Sequence, residues 1–120
     1  MRIAATILIA LVAALHLYFL VLEMFLWRTP FGRRTFGTTA EAAESSAVLA
    51  ANQGLYNGFL AAGLIWTLLA YGLIGGRPII TFLLACIVLA GVYGAVTVNR
   101  RILIVQALPA AIAAALLWLS

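Results

Sequence analysis

Charge is what this chain of 120 residues has least of: only 8% of them are Asp, Glu, Lys or Arg, about a third of the share in an average soluble domain. The acids are Glu23, Glu41 and Glu44, and the seven basic residues are all arginines, for a formal net charge of +4. In a soluble domain that balance would point to nucleic acid. Here every arginine abuts an apolar segment, so the arginines read as topology markers and no nucleic-acid partner is expected. One cysteine, Cys86, and one histidine, His16, are too few for a disulfide framework or a conventional zinc site, so neither metal nor cofactor is expected. Nucleophile motifs and glycine-rich phosphate loops are missing too, and no catalytic residue is assigned.

Apolar sequence fills the chain instead, at 67% hydrophobic residues. Four runs, at about 3–27, 48–74, 78–98 and 102–119, come close to or exceed the roughly 20 residues that cross the hydrocarbon layer as a helix. The runs are continuously apolar rather than alternating, and four strands could not satisfy their edges in lipid, which excludes a closed barrel. The expected fold is therefore all-α: one transmembrane domain, a four-helix bundle with antiparallel neighbours, whose first partner is the lipid bilayer. Arg2, the apolar run after it and Val12-Ala13-Ala14 have the look of a secretory signal. Apolar sequence continues to Trp27, however, and the run is expected to stay as the first helix.

The only extended polar stretch is 28–47, which Pro30, Gly32 and Gly37 break before Thr38 and Glu41 offer a capping-box spacing. It is expected to be a loop, with a helix restarting near Thr39 and running unbroken into the second span. Gly75-Gly76-Arg77-Pro78 reads as a tight turn whose proline opens the third helix, and Asn99-Arg100-Arg101 as an equally short reversal. This threading puts Arg28, Arg33, Arg34, Arg100 and Arg101 on one side and Arg2 and Arg77 on the other. The positive-inside rule then places both termini outside the cytoplasm. Trp27, Tyr71 and Trp118 fall near span ends and read as interfacial anchors, while Cys86 reads as a small core residue.

Polar side chains inside the spans carry the most information, because each costs a few kcal/mol in hydrocarbon and so tends to face the bundle interior, a cavity or a partner. His16 and Glu23 are seven residues apart, on one face and about 10 Å apart along the axis. Gln53 and Asn57 stand at the i,i+4 spacing with Asn52 beside them, and Gly54 with Gly58 forms a Gly-x-x-x-Gly step suited to close helix contact, with a partner span among its possible occupants. Ala90, Gly94 and Thr97 make a small-residue stripe, and the last segment carries Gln106 and then Pro109. Antiparallel threading brings Glu23, Asn52, Gln53, Thr97 and Gln106 within roughly two turns of the arginine-rich side, with His16 and Asn57 deeper. A polar site opening toward the cytoplasm follows, for a ligand or a proton. Glu23, the only acid within a span, is expected to be protonated or paired with a cation such as Arg100 or Arg101. The plainer alternatives are a helix-locking hydrogen bond from Asn52 or Gln53 to Glu23, and a neutral His16 bonded to Asn57 or a backbone carbonyl.

The strings His16-Leu17-Tyr18, Glu23-Met24-Phe25-Leu26-Trp27, Thr29-Pro30-Phe31-Gly32-Arg33 and Ala51-Asn52-Gln53-Gly54-Leu55-Tyr56-Asn57-Gly58-Phe59-Leu60 resemble the domain-of-unknown-function 1304 family. So do Ala90-Gly91-Val92-Tyr93-Gly94-Ala95-Val96-Thr97 and Gln106-Ala107-Leu108-Pro109, and the likeness covers nearly the whole chain. The resemblance implies a small integral membrane protein of four spans and no established activity, at home in a bacterial inner membrane. It also implies that His16, Glu23, Asn52, Gln53, Asn57 and Gln106 belong to a shared pattern.

Three kinds of function fit these residues. The first is binding or transport of a small molecule or ion at a polar site around Glu23, with two copies completing a pathway. The second is a structural or accessory subunit whose polar residues set helix register and whose small residues recruit partner helices. The third is a membrane-embedded enzyme on a lipid or quinone-like substrate, resting only on His16 and Glu23 as acid and base.

Overall fold

The computed structural model describes every residue from Met1 to Ser120. The chain is a helical bundle without strands: α1 (Arg2–Met24), α2 (Pro30–Phe36), α3 (Ala40–Gly75), α4 (Arg77–Thr97), a π-helical segment (Leu103–Ala107) and α5 (Leu108–Trp118). α1, α3 and α4 are long and apolar enough to cross a membrane, and Leu103–Trp118 is a shorter apolar helix. Packing divides the chain into two compact units, Ala14–Ala61 on one hand and Met1–Ala13 with Ala62–Ser120 on the other. α1 and α3 contribute to both.

In the first unit, α1 ends at Met24, three residues short of the expected Trp27. The hydroxyl of Thr29 donates to the Leu26 carbonyl at 2.6 Å and accepts the Gly32 N–H at 3.1 Å. It therefore ties off the turn after α1 while capping α2, whose first turn holds Pro30 where a missing N–H does no harm. A Cβ on Gly32 would collide with the Leu26 carbonyl, so only glycine lets α2 fold back this tightly. Gly37 closes α2 in the left-handed region at φ 66°.

A short helix thus stands where 28–47 reads as a loop: of the residues taken there as breakers, Pro30 opens it, Gly32 lies within it and Gly37 caps its end. Thr39, not Thr38, caps α3 by accepting the Ala42 N–H at 3.1 Å. From there α3 runs unbroken through the expected start of the second span. Side chains clasp this end of the unit. The Trp27 indole donates to Ser46 Oγ at 3.1 Å and packs on the Phe36 ring at 4.8 Å between centroids, and Arg28 pairs with Glu44 at 3.1 Å.

Between α1 and α3 the Gly-x-x-x-Gly step is occupied within the chain. A Cβ on Gly54 would meet Met24, Glu23 and the Leu20 carbonyl, and one on Gly58 would meet the tip of Leu20. Residues 20–24 therefore run antiparallel to 54–58 at close range, as small residues in apolar helices allow.

In the second unit α4 and the C-terminal helix form an antiparallel pair joined by the expected reversal at Asn99-Arg100-Arg101. Ile80, Leu84, Ile87 and Gly91 line the buried face of α4 and Ala107, Ala110, Ala113 and Leu117 that of its partner, each set at helical spacing. The closest approach is at Gly91, where an added Cβ would lie 2.7 Å from the Ala107 backbone nitrogen and 2.9 Å from its Cα. At the far end Trp118 Nε1 donates to Thr81 Oγ1 and Arg77 Nη2 to the Ser120 carbonyl, both at 2.9 Å, with the guanidinium 5.0 Å above the indole ring.

Two departures from plain helix lie in this unit. α3 loses helical geometry at Gly72 (φ 74°, ψ 177°), so regular helix stops short of the expected residue 74, and Gly76 then packs on Thr67 and the Gly72 carbonyl. The expected helix 102–119 opens as a π segment in which the Leu108 N–H reaches back five residues to Leu103. Pro109 explains the change, since it has no N–H for a normal bond and the turn before it must widen.

These contacts make graded predictions. Gly91→Val drives side-chain atoms into backbone that cannot move aside and is expected to cost about 1–3 kcal/mol of stability, seen as a lower Tm of the detergent-solubilised protein. Gly58→Ala, which meets only a flexible leucine tip, should cost less; the reverse order would contradict this account of helix contact. Because Arg28 and Glu44 are 62% and 69% exposed, Glu44→Gln is expected to change unfolding free energy by at most about 1 kcal/mol, an effect that fades in high salt.

Candidate functional site

The residues that put Glu23 in place are those of the close helix contact. Buried residues on α1 recur as Ala5, Ile9, Val12, His16 and Glu23, steps of three, four and seven that keep one helical face turned inward. On α3 the inward face carries Ala43, Ala50, Gly54 and Ala61. Asn57 lies on the flank of that stripe, half-buried. With Gly54 and Gly58 admitting α1, the Asn57 Nδ2 group donates to Glu23 Oε1 at 2.5 Å. Glu23 is 8% exposed, so the residue is largely withdrawn from the surface with a carboxamide as its hydrogen-bonding neighbour.

The pairing differs from the sequence expectation in a specific way. Neither Asn52 nor Gln53 reaches Glu23; both are exposed on α3, and the deeper Asn57, expected beside His16, takes the acid instead. The acid's partner is an amide rather than Arg100 or Arg101, which are exposed at the α4–α5 reversal. His16 is fully buried two turns before Glu23, edge-on to Phe19 with ring centroids 5.3 Å apart. The remaining two candidates belong to the other unit. Thr97 is exposed and donates its hydroxyl to the Tyr93 carbonyl of its own helix, and Gln106 is half-buried within the π segment.

Chemically, the acid–amide pair offers one carboxyl group with an oxygen, Oε2, beyond the one Asn57 engages, and two lone pairs on it that could receive a proton or a cationic donor. No three His, Cys, Asp or Glu side chains gather where they could hold a metal ion. Two surface hollows, of about 250 Å³ beside Arg2, Thr6 and Leu73 and about 340 Å³ beside Arg33, Arg34 and Thr38, are lined by other residues than Glu23.

What the sequence missed is the identity of the acid's partner, together with the short helix that Thr29 caps and Gly32 lets fold back onto Leu26. The Thr-Pro at 29–30 and the Gly at 37 were the available signals, being an N-cap, a first-turn proline and a C-cap at the spacing of a short helix.

Asn57→Leu is expected to cost about 1–2 kcal/mol of stability, because it strands a buried carboxyl group. The same substitution in a Glu23→Leu background should cost less, with a coupling of about 0.6 kcal/mol and at most about 1.7 kcal/mol, the average and upper end for hydrogen bonds within membranes. Coupling near zero in the unfolding cycle would remove the bond from the account.

Comparison with known proteins places these residues in context. Residues 10–118 match the family described as protein of unknown function (DUF1304), a match that takes in both residues of the acid–amide pair. The chain is also similar to the uncharacterized protein YpaA of Lactococcus lactis subsp. lactis (strain IL1403), at 35% identity over 104 residues, covering 84% of this chain and 86% of that protein. No solved structure matches it. A family match across both residues of the pair, joined by a relative alike over most of its length, leaves one conclusion: the chain belongs to the DUF1304 family.

Proposed function

We propose that the chain is an integral membrane protein of a bacterial inner membrane, with both termini outside the cytoplasm, that binds a small molecule or ion at the Glu23–Asn57 pair and carries it across the bilayer. The observation behind this reading is the placement of the one acid of α1 in a buried position where an amide engages it. An ionisable group in such surroundings is expensive to keep and is commonly a substrate, ion or proton site. Its ligand would offer a positive charge or a hydrogen-bond donor to the carboxyl group. Membrane residence is supported by three helices of spanning length and by the arginines gathered on the α1–α3 and α4–α5 connections. His16, in the same unit as the pair, stays a candidate member of the site.

A structural role is the second reading, and one observation favours it. The Glu23–Asn57 bond joins the same stretches of α1 and α3 that Gly54 and Gly58 bring together, so it also serves as a register lock for that contact. The enzyme reading has the least support, with only His16 and Glu23 to act as acid and base.

Ligand-dependent stability separates the first two. A ligand of the folded state raises Tm by mass action, so a panel of cations and amines should contain one that stabilises the purified parent and not Glu23→Gln. Flux of that compound into proteoliposomes should then be lost in Glu23→Gln while the variant stays folded. Unchanged flux would exclude Glu23 from transport, and a panel without effect would leave the structural reading. For orientation, a reporter that works only in the cytoplasm is expected to be silent when fused to Ser120, and activity there would reverse the topology.

A further inference from the structure

We propose that the face of α3 carrying Asn52 is the contact surface for a second copy of this chain. The inference rests on the membrane reading above. At 3.6 residues per turn, Asn52 and Tyr56 each lie about 200° round the helix from Gly54, opposite the face that receives α1. On that opposite face Val48, Leu49, Tyr56 and Phe59 are 84%, 70%, 58% and 56% exposed. Asn52, also exposed, sits at their centre. The Gly-x-x-x-Gly step, the obvious place for a partner span, is already filled by α1.

Depth makes the exposed amide significant. Ser46, hydrogen-bonded to the Trp27 indole, marks the level of the polar clasp at the end of the unit, where an amphipathic ring belongs at the headgroups. Asn52 lies six residues further along α3, about 9 Å deeper, beyond the interfacial layer and inside the hydrocarbon. A carboxamide there needs a donor and an acceptor that lipid tails do not supply.

The occupant follows from the chemistry of the amide. A carboxamide is self-complementary: its N–H₂ donates and its C=O accepts. Around a two-fold axis through this face, Asn52 of each copy meets Asn52 of the other, and the pair forms reciprocal hydrogen bonds within a seam of Val48, Leu49, Tyr56 and Phe59. A single asparagine within an apolar helix face also fixes register and pairing, because any slip leaves two amides unbonded. An isologous contact of this kind closes at two copies.

The test is association in liposomes of copies labelled with donor or acceptor dyes at Ser120, followed by energy transfer as the protein is diluted in lipid. The parent is expected to dimerise. Asn52→Leu, on an exposed face, should leave helical content and the Tm of the monomer diluted in excess detergent unchanged and weaken association roughly 5- to 30-fold, the worth of an interhelical amide bond, while Asn52→Gln should keep most of it. In a Cys86→Ser background, Leu49→Cys should cross-link to itself on oxidation. A parent that stays monomeric in the bilayer, or a dimer indifferent to Asn52→Leu, would overturn the proposal while leaving the membrane reading intact. Release of the protein from membranes by alkaline carbonate would instead overturn the membrane reading and this inference with it.

Discussion

A backbone surrounded by apolar atoms has no water to bond, so each peptide N–H and C=O must find its partner inside the chain. Most of the architecture can be traced to that constraint. With 67% hydrophobic residues, the chain satisfies its backbone locally, by helix, and breaks the helix only where a substitute bond is at hand. After α1 the substitute is the Thr29 hydroxyl on the Leu26 carbonyl. Before Pro109 it is the longer π-type bond from Leu108 to Leu103. Gly72 lets α3 bend before the turn, and the Gly76 N–H bonds back to the Gly72 carbonyl.

Side-chain polar groups obey the same rule with less freedom. Ser, Thr and indole groups near helix ends find carbonyls or one another, as in Thr81 with Trp118 and Trp27 with Ser46. The acid cannot be served by its own helix, because an i,i+4 neighbour on α1 would have to be polar and none is. Glu23 therefore depends on α3, and α3 can reach it only because Gly54 and Gly58 allow the backbones together. A bond that needs two helices at one register ties them together, which is why the register reading and the proposed binding reading fall on the same pair. Asn52 lacks that option and lies on the exposed face of α3.

The legibility of these features in the sequence followed their range. Helix as the fold, the stretches of α1, α3 and α4, the reversal at Asn99-Arg100-Arg101 and the restart near Thr39 depend on runs of apolar residues and on turn residues a few positions apart, and all were readable from the chain. Glu23 and Asn57 stood in the sequence among seven polar candidates, and nothing along the chain singled them out as a pair. Which of Asn52, Gln53 and Asn57 faces Glu23 is a matter of how α3 lies against α1 after the connection in which α2 folds back. That fold-back depends on Gly32 lying against the Leu26 carbonyl, a contact no periodicity encodes.

Composition and periodicity thus determined by themselves that this protein is helical, apolar along most of its length and provided with an acid where acids are costly, because those properties belong to single residues and to neighbours along one helix. Only the tertiary structure decided that Gly54 and Gly58 serve α1, that Asn57 holds Glu23, and that Asn52 is left outside. Those outcomes depend on the register of one helix against another, which is set by packing between residues more than thirty positions apart.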